Sequence, residues 1–396
     1  MIKKKEKYDV CIVGGCGHVG LPLGLSLAEK EIKVCLYDKD RQRSVSVGKG
    51  KMPFIEYGAD SILKRVLKKK MLKVSNDISV VGDAKYLIIA IGTPVDEYLN
   101  PKIKLFLELF KDFSKYLNNQ QIIIIRSTVY PHTCQRIASL LDKGTWHISY
   151  CPERIAQGYA IKELKQFPQI VAGLTETAVG EASKLFSMIA PKVIKVSLAE
   201  AELVKLFSNA WRYLQFAAAN QFYMIAYSLG VDFNRLRKAM RNSYGRAAAL
   251  PSAGFAAGPC LLKDTMQLAS FYNNNFLLGH VAMMINEGLP NFIVENLRQK
   301  YNLASLRIGI LGMAFKADID DTRDSLSYKL GKILKFHSAD VLYSDEYVKN
   351  DTFATKEEII SSCDVIIVAV PHSAYKKLKI PKDKKLVDLW GVIKTK

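Results

Sequence analysis

Residues 252–264 read Ser-Ala-Gly-Phe-Ala-Ala-Gly-Pro-Cys-Leu-Leu-Lys-Asp, and they end a loop on a thiol. Gly254, Ala256, Ala257 and Gly258 carry almost no side-chain bulk, so another backbone or a ligand can approach closely. Gly258 and Pro259 punctuate the chain just before a helical pattern. With a helix beginning near Leu261, Cys260 sits at its N-terminal end, where unpaired N–H groups and the macrodipole favour thiolate over thiol. Lys263 and Asp264 follow at i+3 and i+4, which puts a cation and a carboxylate on the same helical face as the sulfur. The chemistry this implies is nucleophilic attack by a thiolate. The plainer alternative is a small-residue turn with a packed cysteine, because unpaired cysteines mostly act as small core hydrophobes.

A second constellation lies near the N-terminus. Gly14-Gly15-Cys16-Gly17-His18-Val19-Gly20 contains G-x-G-x-x-G at Gly15, Gly17 and Gly20. One glycine serves a tight turn, one lets the backbone approach a pyrophosphate, and one packs the helix against the strand. The pyrophosphate would lie on a helix N-terminus. Asp38, eighteen residues beyond Gly20, can accept from adenosine ribose hydroxyls and so prefers NAD to NADP, although Lys39 and Arg41 leave an opening for NADP.

These residues need elements to position them. Strand Tyr8–Val13, helix Leu21–Lys30 and strand Lys33–Tyr37 frame the glycine loop. Further buried-strand candidates are Tyr86–Ile91 closed by Gly92-Thr93-Pro94, Gln121–Ile125 closed by Arg126-Ser127-Thr128, and His147–Tyr150 closed by Cys151-Pro152-Glu153-Arg154. The cofactor crevice is expected above these carboxyl ends. A long helix, Ala199–Leu229, follows, with Leu203, Phe207, Ala210, Trp211, Leu214 and Ala218 at helical spacing and Lys205 and Asn209 at i and i+4. This run and the helices after it, to about Ile293, form an all-helical section that could serve as a dimer spine. A second α/β unit begins at Leu306: strand Arg307–Leu311, turn Gly312 to Lys316, a helix from about Ser325, strand Val341–Tyr343 ending near Asp345, and strands Asp364–Val370 and Lys385–Leu389. The expected fold class is α/β, with two Rossmann-like doubly wound domains joined by a long central helix and a helical middle domain. The expected domains are residues 1–196, 197–295 and 296–396.

Composition narrows the classes. A chain of 396 residues, 49% hydrophobic and 24% charged, describes a soluble protein of two or three domains. Seven cysteines without C-x-x-C spacing point to a reducing cytoplasm rather than a disulfide framework. The six scattered histidines offer no metal spacing, and no apolar run reaches membrane-spanning length. A net charge of +19 invites a nucleic-acid reading, but the lysines are dispersed without interleaved stacking aromatics, and small anionic ligands also profit from a positive field.

Taken together, these motifs resemble the UDP-glucose/GDP-mannose dehydrogenase family along nearly the whole chain and in family order. Gly15, Gly17, His18, Val19 and Gly20 with Asp38 are similar to its NAD fingerprint; Thr93, Pro94, Ser127 and Thr128 resemble its cofactor-side strand ends, with Lys263 and Arg323 as further cofactor contacts. Pro152-Glu153-Arg154 is similar to the catalytic glutamate segment. Lys205 and Asn209 match the lysine and asparagine of the central helix, and Gly254-Phe255 through Cys260, Lys263 and Asp264 resemble the nucleophile motif. Ala314-Phe315-Lys316 with Asp321 and Arg323 resembles the UDP clasp, and Arg246 an arginine that reaches a neighbouring subunit's sugar site. The nucleophile loop departs at Ala256, Ala257 and Gly258-Pro259, and the glutamate segment at Arg154 and Gln157; Pro-Glu-Arg is closer to the branch acting on UDP-N-acetylhexosamines.

The resemblance implies a cytoplasmic homodimer that oxidises the C6 alcohol of a UDP-sugar to a carboxylate with two NAD molecules, using no metal, nucleic acid or membrane insertion. It implies Cys260 as nucleophile, Lys205 and Asn209 as oxyanion stabilisers, Glu153 as the base for hydrolysis, and Asp264 and Thr128 as orienting groups. Glu153, Arg154, Lys205, Asn209, Arg246, Gly254, Phe255, Phe315 and Lys316 would contact the sugar nucleotide. A single-step NAD hydroxyacid dehydrogenase and a non-catalytic nucleotide-binding protein remain open alternatives.

Overall fold

The computed structural model describes every residue except 1–6, 94, 97–101, 142–143, 338 and 394–396. It divides into two compact units, one reaching to Phe207 and the other spanning Ser208–Lys396. In the first, the described residues form an eight-stranded sheet, in spatial order β3-β2-β1-β4-β5-β6-β7-β8. The strands are β1 Tyr8–Val13, β2 Val34–Tyr37, β3 Leu72–Ser75, β4 Ala84–Ile89, β5 Ile122–Ile125, β6 His147–Tyr150, β7 Gln169–Gly173 and β8 Val193–Lys195. All neighbours are parallel except β6 and β7. A parallel sheet is covered on both faces, so its strands read as continuous apolar runs, of which Ile122 to Ile125 is the extreme. Val10 and Ile12 enter the core on one face, Cys11 and Val13 the core on the other.

The second unit holds a four-stranded parallel sheet in order β10-β9-β11-β12. Its strands are β9 Arg307–Leu311, β10 Asp340–Ser344, β11 Val365–Val368 and β12 Lys385–Asp388. It also holds helices Leu261–Phe271 and Leu277–Lys300. The mixed α/β class with two nucleotide-fold sheets and a long central helix, Leu198–Ser228, is as expected.

Three strands were not foreseen. β3 alternates a lysine and a serine with apolar residues, β8 is three residues long, and β7 has an apolar stretch of only Ile170-Val171-Ala172, so none makes a strong apolar run. β4 begins at Ala84, two residues early, because its register with β1 pairs Tyr8 with Ala84. The central helix also sorts its apolar residues differently from the expectation. Leu206, Ala210, Tyr213, Ala217 and Ala219 are buried, whereas Phe207 (53% exposed), Trp211 (62%), Phe222 and Ile225 form a stripe facing outward.

Candidate functional site

At the end of β1, Gly14 takes the left-handed conformation (φ +74°), and a Cβ there would sit 2.8 Å from the Ala90 carbonyl oxygen. A Cβ on Gly15 would lie 2.7 Å from the Cβ of Leu36, one on Gly17 3.3 Å from the Gly14 oxygen, and one on Gly20 would run into that same oxygen. The loop therefore folds flat onto β2, and helix Gly20–Ala28 starts directly against it. That helix follows Val19 with no acidic residue in its first turn and no side-chain cap, so its N-terminal dipole and N–H groups suit a phosphate. Asp38, at the end of β2, accepts from the N–H groups of Cys16 (3.0 Å, Oδ2) and Asp40 (3.0 Å, Oδ1). A carboxylate has roughly four lone-pair sites, so the half-buried Asp38 keeps capacity for ribose hydroxyls, and its charge opposes a 2′-phosphate. The glycine-rich loop, uncapped helix end and tethered acid fit NAD.

Around this cradle, the ring of His18 packs on Phe54 with centroids 3.9 Å apart. Ser127, buried after β5, donates its hydroxyl to the Ile91 carbonyl (2.7 Å) and so ties two strand ends together; Thr128 and Thr93 are half-buried nearby in sequence. Pro94 lies outside the described residues. Glu153, after β6, accepts from the N–H groups of Arg154 (2.6 Å) and Ile155 (2.9 Å) on one oxygen and from the Arg126 guanidinium on the other. Arg154 turns its own guanidinium to the Pro168 carbonyl (2.7 Å). Glu56 accepts from Gly158 N–H (3.1 Å) and Ile161 N–H (3.2 Å), fixing the far side of the same segment. Lys205 is buried on the central helix.

In the second unit, Cys260 is the N-cap of helix Leu261–Phe271, at the expected boundary, and its carbonyl accepts from Asp264 N–H (2.8 Å). It is exposed, whereas the other six thiols are buried. Burial pushes Cys16 and Cys151 up to about 12, and Cys134 also well above the ordinary thiol value. Thiols that stay protonated are poor nucleophiles. Asp264 is fully buried and accepts from Asn209 Nδ2 (2.5 Å) and Lys263 Nζ (2.5 Å), so the central helix and the cysteine helix are linked through it.

The small residues before Cys260 admit side chains of the chain itself. A Cβ on Gly254 would run into the ring of Trp390, and one on Gly258 would lie 2.5 Å from Phe315 Cδ2. Asn220 of the central helix grips Gly254 by donating to its carbonyl (3.1 Å) and accepting from its N–H (2.8 Å). The ring of Phe255 is buried in the core with Leu289 and Ile293. Phe315 and Lys316 are half-buried, and Arg246 is exposed. Arg323 forms a forked pair with Asp321 (Nη2–Oδ2 2.6 Å, Nε–Oδ1 3.0 Å).

Sequence reasoning missed Arg126, Glu56 and Asn220. Each acts across a separation that no periodicity encodes; a charged residue closing an all-isoleucine strand was the one local signal for Arg126.

Three domain models of one family match the chain: the UDP-glucose/GDP-mannose dehydrogenase NAD binding domain over residues 8–189, its central domain over 199–287, and its UDP binding domain over 309–395. The chain belongs to the UDP-glucose/GDP-mannose dehydrogenase family and is an NAD-dependent oxidoreductase with a UDP-binding domain. It is 28% identical over 399 residues to a UDP-N-acetyl-D-mannosamine dehydrogenase of Pyrococcus horikoshii, covering 96% of this chain and 95% of that one. A solved UDP-D-ManNAc dehydrogenase structure from the same organism superposes with a TM-score of 0.89 at 27% identity, covering 98% and 96%. A UDP-glucose dehydrogenase from Pyrobaculum islandicum shares the fold with a TM-score of 0.89 at 22% identity, over 99% and 96%. Among the described residues, no helix is long and apolar enough to cross a membrane.

Proposed function

We propose that this chain oxidises the C6 alcohol of a UDP-N-acetylhexosamine, UDP-N-acetylmannosamine first among candidates, to the carboxylate in a four-electron reaction. The observation that carries the reading is the placement of Cys260, the one exposed thiol of seven, at a helix N-terminus four residues from an Asp264 held by Asn209 and Lys263. Support for the sugar comes from the Pyrococcus relative and from the Pro-Glu-Arg segment.

NAD, when bound, supplies the hydride acceptor for both oxidations. Lys205 and Asn209 stabilise the negative charge that grows on the C6 oxygen as its proton leaves. The Cys260 sulfur adds to the resulting aldehyde, and the carbonyl oxygen takes a proton, giving a thiohemiacetal that keeps the reactive carbon attached. Loss of hydride from C6 and of the hydroxyl proton leaves a thioester. Water then bonds to C6 as the C–S bond breaks and the thiol recovers its proton; Glu153 serves this step as the acceptor of the water's proton, with Asp264 and Thr128 orienting. Gly15, Gly17, His18, Val19, Gly20, Asp38, Thr93, Pro94, Ser127, Lys263 and Arg323 hold the cofactor. Arg154, Gly254 and Phe255, by its backbone, contact the sugar, while Phe315 and Lys316 hold the uridine diphosphate.

Residues 1–196 bind NAD, 197–295 form the helical middle domain and 296–396 hold UDP. The outward apolar stripe of the central helix supports a homodimer, with Arg246 reaching the neighbour's site. The seven thiols suit a reducing cytoplasm.

Counting NADH per sugar consumed, for UDP-N-acetylmannosamine, UDP-N-acetylglucosamine and UDP-glucose, tests the reading. Two NADH per sugar are expected, with turnover lost by at least about 10³-fold in Cys260→Ser. One NADH per sugar, or full activity without the thiol, returns the chain to a single-step dehydrogenase.

A further inference from the structure

Arg126 is a cation with essentially no exposure at the end of a strand made of four isoleucines. A buried guanidinium carries a desolvation cost of several kcal/mol, so its surroundings must answer it, and they do so asymmetrically. Nη1 donates to the Cys151 carbonyl (3.2 Å) and to Gln169 Oε1 (3.0 Å). The plane lies over the Phe186 ring, 5.0 Å from its centroid. Among the described residues, the one formal counter-charge paired with it is Glu153, whose Oε2 accepts from Nη2. Gln169 is itself held by donating to the Pro152 (3.2 Å) and Ile170 (2.8 Å) carbonyls, so the arginine is pinned on three sides before it reaches the glutamate.

From the carboxylate's side, Oε1 accepts the N–H groups of Arg154 and Ile155, and Oε2 accepts Arg126. Three of roughly four lone-pair sites are taken. The carboxyl plane therefore has one orientation, and about one acceptor site is left over. Glu153 is only 8% exposed, so little of the carboxylate is open to solvent.

We infer that Arg126 is a positioning residue of this dehydrogenase, acting through Glu153: it holds the carboxylate in one orientation, so that a single lone pair is presented to the reacting water or substrate hydroxyl. The inference rests on the proposed nucleotide-sugar oxidation, in which Glu153 contacts the reacting groups. It assigns Arg126 no contact with substrate.

A double-variant cycle in the full-length protein tests it, with kcat and both KM values measured for the substrate that the parent oxidises. Arg126→Gln should lower kcat by on the order of 10- to 100-fold, the loss usual when a residue that orients a reacting group is removed, while KM for NAD stays within about threefold. Arg126→Lys, which keeps the charge and loses the fork, should recover part of that loss. In the Glu153→Gln background the Arg126→Gln change should cost less than about threefold, because groups acting as a unit are not additive. A purely structural arginine, bracing Cys151 and Gln169, would subtract the same factor in both backgrounds, and that outcome overturns the inference. Should Arg126→Gln fail to fold because it leaves a buried carboxylate unpaired, the comparison of Arg126→Lys in the two backgrounds decides in the same way. A parent that yields no NADH with any nucleotide sugar removes the proposed function; an active parent with equal losses in both backgrounds removes only the role of Arg126.

Discussion

The two nucleotide-fold halves follow one plan and use its acid in opposite ways. In each, a first strand is followed by a left-handed glycine, Gly14 (φ +74°) or Gly312 (φ +97°), and a Cβ there would press on the residues just after the neighbouring strand β4 or β11, at Ala90 or Val370. In each, that glycine's N–H bonds the last carbonyl of the second strand, Tyr37 or Ser344. In each, the next residue along the second strand is an aspartate that accepts from the loop. There the likeness stops. Asp38 accepts from two backbone N–H groups and is half open, and the helix begins six residues after Gly14. Asp345 has a fully buried side chain and accepts from five donors: Met313 (2.6 Å), Ala314 (2.9 Å), Tyr347 (2.8 Å), Val348 (3.0 Å) and the ring of His372 (3.0 Å). Asp318 N–H donates to Nδ1 of that ring (2.9 Å), which puts the ring's proton on Nε2, facing Asp345. The helix after this loop starts only at Leu326. An acid with every lone pair committed has nothing to offer a ribose. The same plan thus leaves an acid with free acceptor sites in one half and braces the fold with it in the other.

The sharpest way to break this contrast is to remove each carboxylate's charge. Asp345→Asn turns an NH2 group toward at least two of the five donors, and leaving buried donors unsatisfied costs about 1–3 kcal/mol each. A stability loss of about 2–5 kcal/mol is expected in denaturant titration, with KM for NAD unchanged. A variant as stable as the parent would mean that Asp345 braces nothing.

Asp38→Ala should do the reverse. Hydrogen bonds from a ligand to a charged group contribute about 1.5–3 kcal/mol, so KM for NAD should rise about 10- to 100-fold and the preference over NADP should fall, with a stability loss smaller than that of Asp345→Asn because one buried donor, the Cys16 N–H, loses its acceptor. Equal damage to stability and to cofactor binding would erase the distinction between the halves.

Much of this plan was legible in the sequence because it is local. Tyr8–Val13, His147–Tyr150 and Arg307–Leu311 are the strands expected, to the residue, since buried parallel strands bounded by glycine or proline leave a compact apolar signature. The helix start at Leu261 was legible for the same reason. What was not legible is nonlocal. Nothing in Pro371-His372 announces that the histidine reaches Asp345, and nothing in Arg126 that it reaches Glu153. The small residues of the cysteine loop were read as room for a ligand or another backbone, whereas Gly254 and Gly258 meet Trp390 and Phe315, because pattern reports how little bulk a position carries and not what fills the space.

The smallest effect concerns acid. Burial alone would raise Asp345, but the hydrogen bond from His372 Nε2 and the backbone donors outweigh it, and the net direction is below the usual carboxylate value of about 3.9. A folded-state value depressed below the unfolded one gives stability that is fully present above the unfolded value and is lost as pH falls through the folded one. The parent and Asp345→Asn should therefore differ most near neutrality, and the part of their difference due to charge should shrink in denaturant titrations carried below about pH 4. Protonation puts a hydrogen on the carboxyl, which then cannot accept from all five donors, so at low pH the parent should approach the asparagine variant. A gap that widened in acid would reverse the sign, and would mean that the protonated acid is the form the five donors prefer.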